Sequence, residues 1–135
     1  MTLVTKSAEQ EVERWFRALE TGNPEHLIAL YAEDSLLLPT LRGDVRIGHQ
    51  PIRNYFVEVF LPRNPIGRMV ELHSRLIGEY AVNSGLYEFE VDGGETGRRT
   101  AEARFTFVYQ WRDGDWKIIE HHSSLNPEDH PVNRS

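Results

Sequence analysis

Arg104-Phe-Thr-Phe-Val-Tyr-Gln-Trp-Arg-Asp-Gly-Asp-Trp-Lys-Ile-Ile-Glu-His-His-Ser-Ser124 decides the fold of this chain. Two long apolar runs flank one Asp113-Gly114 pair, which reads as a hairpin turn between antiparallel strands. A hairpin this long and this apolar cannot stand alone in water, so it is the spine of a larger sheet. Its side chains alternate. Phe105, Phe107, Tyr109 and Trp111 share one face, and Arg104, Thr106, Val108 and Gln110 share the other. The second strand ends in His121, His122, Ser123 and Ser124.

Working backwards from the hairpin, Met69–Ile77 and Ala81–Val91 show the same period of two, punctuated by Gly78-Glu79 and Asp92-Gly93-Gly94. The first half has a helical period. Val12, Trp15, Phe16 and Leu19 form a stripe closed by Thr21-Gly22. Asn23-Pro24 reads as an N-cap followed by proline at the first helical position, opening a helix through Leu27, Leu30 and Tyr31 that Asp34-Ser35 breaks. Leu36–Leu38 is a brief strand. Gly48-His49-Gln50-Pro51 starts a third helix carrying Ile52, Tyr55, Phe56, Val59 and Phe60. Three helices followed by a meander make an α+β domain over residues 1–135, with the helices on one sheet face.

Composition narrows the function. The chain has 135 residues, 39% hydrophobic and 27% charged, enough for a packed core and unlike a disordered segment. A net charge of −6 with dispersed Lys and Arg argues against unselective nucleic-acid binding. Without cysteine there is no disulfide, thiolate metal site or thiol nucleophile. No apolar run is long enough to span a membrane, and the first residues lack a signal-peptide core, so the expected location is cytoplasmic.

Both sheet faces look occupied. The simplest account buries the aromatic face and lets the mixed face line a semi-polar cavity or a subunit interface; the opposite allocation puts the aromatic residues around a pocket. Either way a homodimer or larger assembly is expected, the alternative being that helices bury the aromatic face and the other face is merely wet.

At this level the chain resembles the nuclear transport factor 2-like, cystatin-like cone fold shared with ketosteroid isomerase: three N-terminal helices on a strongly curved, mostly antiparallel sheet. More narrowly, Arg104–Tyr109, Asp113–Trp116, Ile119–Ser124 and Gly48–Phe56 are similar to bacterial relatives of the association (hub) domain of calcium/calmodulin-dependent protein kinase type II, from about Glu11 to Pro127. That resemblance implies self-assembly and a cone-shaped pocket for a small, anionic or polar-aromatic molecule. It also implies site residues. Arg104 matches the hub's pocket arginine, Arg53 lies near the hub's pocket histidine, and Ser123 stands where the hub has another arginine. No kinase signature is present, so no kinase activity is expected.

The individual residues carry alternatives. His121 and His122 point to opposite faces of one strand and cannot share a metal, and no ligand spacing is found elsewhere, so no metal and no cofactor are expected. One of the two enters the cone as acid, base or hydrogen-bonding group, or as a structural histidine. An Asp-Gly loop of two or of three residues decides which. Arg104, as a guanidinium buried in a sheet, needs a carboxylate or an anionic ligand. Asp34 resembles the acidic position of catalytic relatives; in an apolar cone its pKa would rise and suit a general base, and Asp34-Ser35 is equally a helix-ending turn. Trp15, Tyr31, Tyr55 and Tyr87 supply cavity wall or core. Two functions follow: an assembling domain with a small-molecule pocket, or an isomerase, dehydratase or hydrolase using Asp34, His121 or His122.

Overall fold

The computed structural model describes residues 7–128. The amphipathic stripe of the first segment becomes helix α1 (Glu11–Glu20), which buries Val12, Trp15, Phe16 and Leu19. Helix α2 (Pro24–Ile28) starts where Asn23 accepts a hydrogen bond from the Glu25 N–H at 2.9 Å, with Pro24 at the first position. It is shorter than its spacing predicts. Leu30 and Tyr31 continue the helical period, yet strand β1 (Tyr31–Leu38) begins at Tyr31, and Asp34-Ser35 lies inside that strand. Pairing with the last strand wins over local periodicity: the Ile118 N–H donates to the Leu30 carbonyl at 2.9 Å.

A two-residue strand that the pattern does not announce, β2 (Arg46–Ile47), pairs with β1. Helix α3 (His49–Tyr55) then runs into a wider turn at Phe56–Phe60 and a tight one at Leu61–Arg63. Four long strands complete the chain: β3 (Ile66–Ile77), β4 (Tyr80–Asp92), β5 (Arg98–Arg112) and β6 (Asp115–Leu125). The sheet order is β2-β1-β6-β5-β4-β3, and only the β1–β6 pairing is parallel. This is the expected α+β cone, with the helices filling the inner face of a mostly antiparallel sheet.

Three local devices shape that inner face. Asp113 and Gly114 both adopt left-handed backbone, φ 53° and 79°, as a two-residue turn matched to strand twist requires. At Gly67 an added Cβ would lie 2.4 Å from the Phe16 ring, so glycine lets α1 seat against β3. At Gly85, φ 156° and a Glu71 carbonyl 2.0 Å from any added Cβ call for glycine, beside the register shift between Met69 and Glu71 in the β3–β4 pairing.

Candidate functional site

The β5–β6 ladder runs without a break from Arg112–Asp115 to Tyr109–Ile118, then skips Ile119, so that Val108 faces Glu120 and Phe107 faces His121. This one-residue bulge reverses the parity of everything after it. Trp116 and Ile118 point inward before it; His121 and Ser123 point inward after it. His122 is therefore exposed on the outer face. Loop length alone would not have settled the pair, because the two-residue turn without a bulge puts His122 inside.

His121 sits at 2% exposure, stacked on Phe107 with ring centroids 3.9 Å apart and with the Trp15 edge against it at 5.3 Å. Both ring nitrogens are engaged: Nδ1 with the Tyr31 hydroxyl at 2.8 Å and Nε2 with the Tyr87 hydroxyl at 3.1 Å. The network extends at both ends. Trp15 Nε1–H donates to Tyr31 at 3.1 Å, Tyr87 donates to Ser123 Oγ at 2.6 Å, and Ser123 Oγ meets Thr40 Oγ1 at 2.5 Å. The order Trp15, Tyr31, His121, Tyr87, Ser123, Thr40 thus crosses the cone from α1 to the half-buried loop after β1.

Burial sets the electrostatics. Removing the imidazolium from water, with a smaller push from His122, pulls the His121 pKa down to about 3, so the ring is neutral in the physiological range. Burial likewise pushes the Tyr31 and Tyr87 phenols well above their ordinary value. Tyr55 rises to about 12, chiefly through burial, while the Leu41 backbone and the nearby guanidiniums of Arg42, Arg46 and Arg63 act in the opposite direction.

The interior is nearly full. The space among Trp15, Tyr55, Phe56, Tyr87, His121 and Ser123 amounts to about 10 Å³, roughly one water molecule. Pro39, Thr40 and Ser123 wall it on one side and a groove of about 270 Å³ on the other; Arg42, Asp44, His122 and Ser124 also line that groove. Thr40 and Arg42 were not singled out by sequence reasoning. Their only signal is the Pro39-Thr40 stop after three leucines.

Several expected site residues stand elsewhere. Arg104 is exposed on the outer face, opposite Leu86 and Ser124, with Nη2 3.5 Å from Ser124 Oγ. Its alternation with Phe105 and Phe107 carries it outside once the aromatic face is the covered one, which corrects the expectation of a guanidinium within the cone. Arg53 is half-buried on α3 and paired with Glu25 on α2, away from the interior. Asp34 is also on the surface, held by Arg112 through contacts of 3.0 and 3.4 Å. That bond lowers the Asp34 pKa, the reverse of the rise expected for a general base in an apolar cone. Trp15, Tyr31, Tyr55, Tyr87 and Ser123 do converge inside.

Among the described residues no three His, Asp or Glu side chains are grouped to hold a metal, and no helix is long and apolar enough to cross a membrane.

Comparison with known proteins adds the following. The sequence pattern of a family described as the calcium/calmodulin dependent protein kinase II association domain matches residues 8–127. A crystal structure from Xanthomonas campestris, described by the same association-domain name, is 36% identical with a TM-score of 0.84, over 95% of this chain and 99% of that one. A cystatin-like protein from Caulobacter vibrioides is 20% identical, TM-score 0.72, over 92% and 93% of the two chains. A hexachlorocyclohexane dehydrochlorinase shares the fold at 15% identity, TM-score 0.72, over 85% and 82%. No curated protein matches the chain.

Proposed function

The chain belongs to the calcium/calmodulin dependent protein kinase II association domain family, and on that premise we propose that it is a self-associating, hub-like domain that also binds a small anionic or polar-aromatic molecule at the mouth of its cone. The observation that carries the first half is the sheet's outer face. Val82 and Val108 stand side by side there, flanked by Leu86 and by charges of both signs, among them Arg68, Glu88, Arg104 and Glu120. Among the described residues no helix covers that face. Mixed apolar and complementary charged groups are what a two-fold, self-complementary contact uses.

Sedimentation velocity at micromolar concentration tests it. A dimer or larger species is expected, and Val108→Arg is expected to dissociate it while leaving the fold intact. A monomeric wild-type chain would refute the self-association reading.

The small-molecule half draws on the groove beside Thr40 and Ser123, where Arg42 supplies positive charge. Titration with small carboxylates, followed by amide chemical shifts of residues 38–45 and 122–125, tests it. Unmoved resonances at millimolar ligand would count against it.

An isomerase, dehydratase or hydrolase reading receives less support from the geometry. Relatives of this fold include a dehydratase-named protein and a dehydrochlorinase. Here, however, both His121 nitrogens are engaged and Asp34 is tied to Arg112 on the surface. A base must reach the proton that it abstracts.

A further inference from the structure

The buried relay has a direction, and one residue sets it. An indole N–H can only donate. With Trp15 Nε1–H donating to Tyr31, the Tyr31 proton has a single acceptor among the described residues, His121 Nδ1. Were Nδ1 to carry the hydrogen instead, the Tyr31 O–H would be buried with no acceptor among the described residues, which a site nearly closed to water disfavours. A neutral imidazole bare at Nδ1 carries its hydrogen on Nε2, which then donates to the Tyr87 oxygen. Tyr87 in turn donates to Ser123 Oγ.

Hydrogen counting at the end of the relay yields a surplus. Ser123 and Thr40 bring one hydroxyl hydrogen each. One of the two forms the bond between them, and Tyr87 already supplies Ser123 with a donor. Among the described residues one O–H is left over. Thr40 and Ser123 line the open groove as well as the filled interior, so an acceptor atom in the groove is within the reach of that pair.

We propose that Trp15 is a specificity-determining residue for this groove: acting through Tyr31, His121 and Tyr87, it makes the Thr40–Ser123 pair a net hydrogen-bond donor, so that the groove selects a small carboxylate, bound through an acceptor oxygen beside Arg42. The proposal rests on the small-molecule reading above and adds a residue that never touches the ligand. Trp15 is a positioning residue, four hydrogen bonds from the pair it orients.

Nitrogen NMR of the wild-type imidazole and paired probe titrations test it together. Cyclohexanecarboxylate offers only acceptors and cyclohexylmethylammonium only donors. Wild-type protein is expected to show the Nε2–H tautomer of His121 and to favour the carboxylate by on the order of tenfold or more, the worth of one good hydrogen bond to a charged group. Trp15→Phe, which removes the indole donor and leaves Arg42 in place, is expected to mix the tautomers and reduce that preference several-fold.

The opposite results are distinguishable. An Nδ1–H tautomer in the wild type overturns the relay itself. Mixed tautomers in Trp15→Phe with an unchanged preference overturn the control of specificity while the small-molecule reading survives. If neither probe moves the groove resonances in wild type, the small-molecule reading fails and this proposal with it, whatever the tautomer. Should Trp15→Phe not fold, Tyr31→Phe breaks the relay at the next link and is expected to give the same pair of changes.

Discussion

His121 lies directly across the β5–β6 ladder from Phe107, its imidazole stacked on the phenyl ring at a centroid distance of 3.9 Å and an angle of 16°. That register exists only because Ile119 is skipped two residues earlier. The bulge therefore chooses which histidine the cone receives, and with it the whole buried relay.

Deleting Ile119 is expected to be tolerated, because it removes only the bulged residue and leaves Ile118, Glu120 and His121 opposite Tyr109, Val108 and Phe107 as they now stand. The regular ladder that results keeps His121 on the inner face, with Tyr31 and Tyr87 at its nitrogens. The expected outcome is retained cooperative unfolding, checked by urea titration and amide spectra. A deletion variant that loses native-like dispersion would show that Ile119 is needed for more than the parity of the strand.

His121→Phe keeps the stacked ring shape and removes both hydrogen-bonding nitrogens. The Tyr87 oxygen loses a donor and the Tyr31 O–H its acceptor, in a site nearly closed to water. Destabilisation of about 2–4 kcal/mol is expected from two buried polar groups left unpaired. Equilibrium denaturation checks it; a change under about 0.5 kcal/mol, the range of an ordinary surface substitution, would mean the network contributes little.

Stability should also depend on pH through this residue. His121 titrates near 6.5 in the unfolded chain and near 3 when folded. The unfolded state thus binds the proton first, so the contribution is complete above about pH 6.5 and is lost as pH falls towards 3. The slope approaches about 1.4 kcal/mol per pH unit at most. Comparing denaturation midpoints between pH 7 and 4 in wild type and His121→Phe isolates it, because the variant is expected to lose this part of the slope. Parallel profiles in the two proteins would contradict the assignment.

At Gly67 the expected effect is steric. Alanine there would place its Cβ 2.4 Å from Phe16, so Gly67→Ala is expected to cost about 1–3 kcal/mol. Combining it with Phe16→Leu should cost less than the sum of the single changes, since the smaller side chain relieves the clash. A double-mutant cycle in urea checks this, and strict additivity would rule out the contact as the cause.

Much of the architecture is legible in the chain itself. The Val12–Leu19 stripe, the Asn23-Pro24 cap, the Asp113-Gly114 turn and the alternation of Phe105, Phe107 and Tyr109 each encode a local preference, and each stands in the structure as its period dictates. Tyr31 is the instructive exception, because its spacing from Leu27 and Leu30 suits a helix and only a parallel neighbour 87 positions later, Ile118, makes it strand.

The site divides in the same way. Sequence alone identified Trp15, Tyr31, Tyr55 and Tyr87 as wall or core, the resemblance added Ser123 as a site position, and strand alternation established that only one of His121 and His122 enters the cone. Tertiary structure decided which one, put Arg104, Arg53 and Asp34 outside, and joined Thr40 to the far end of the relay. The physical reason is that period-two patterning specifies two faces and not which is covered, and a one-residue bulge reverses them without leaving a mark in the pattern.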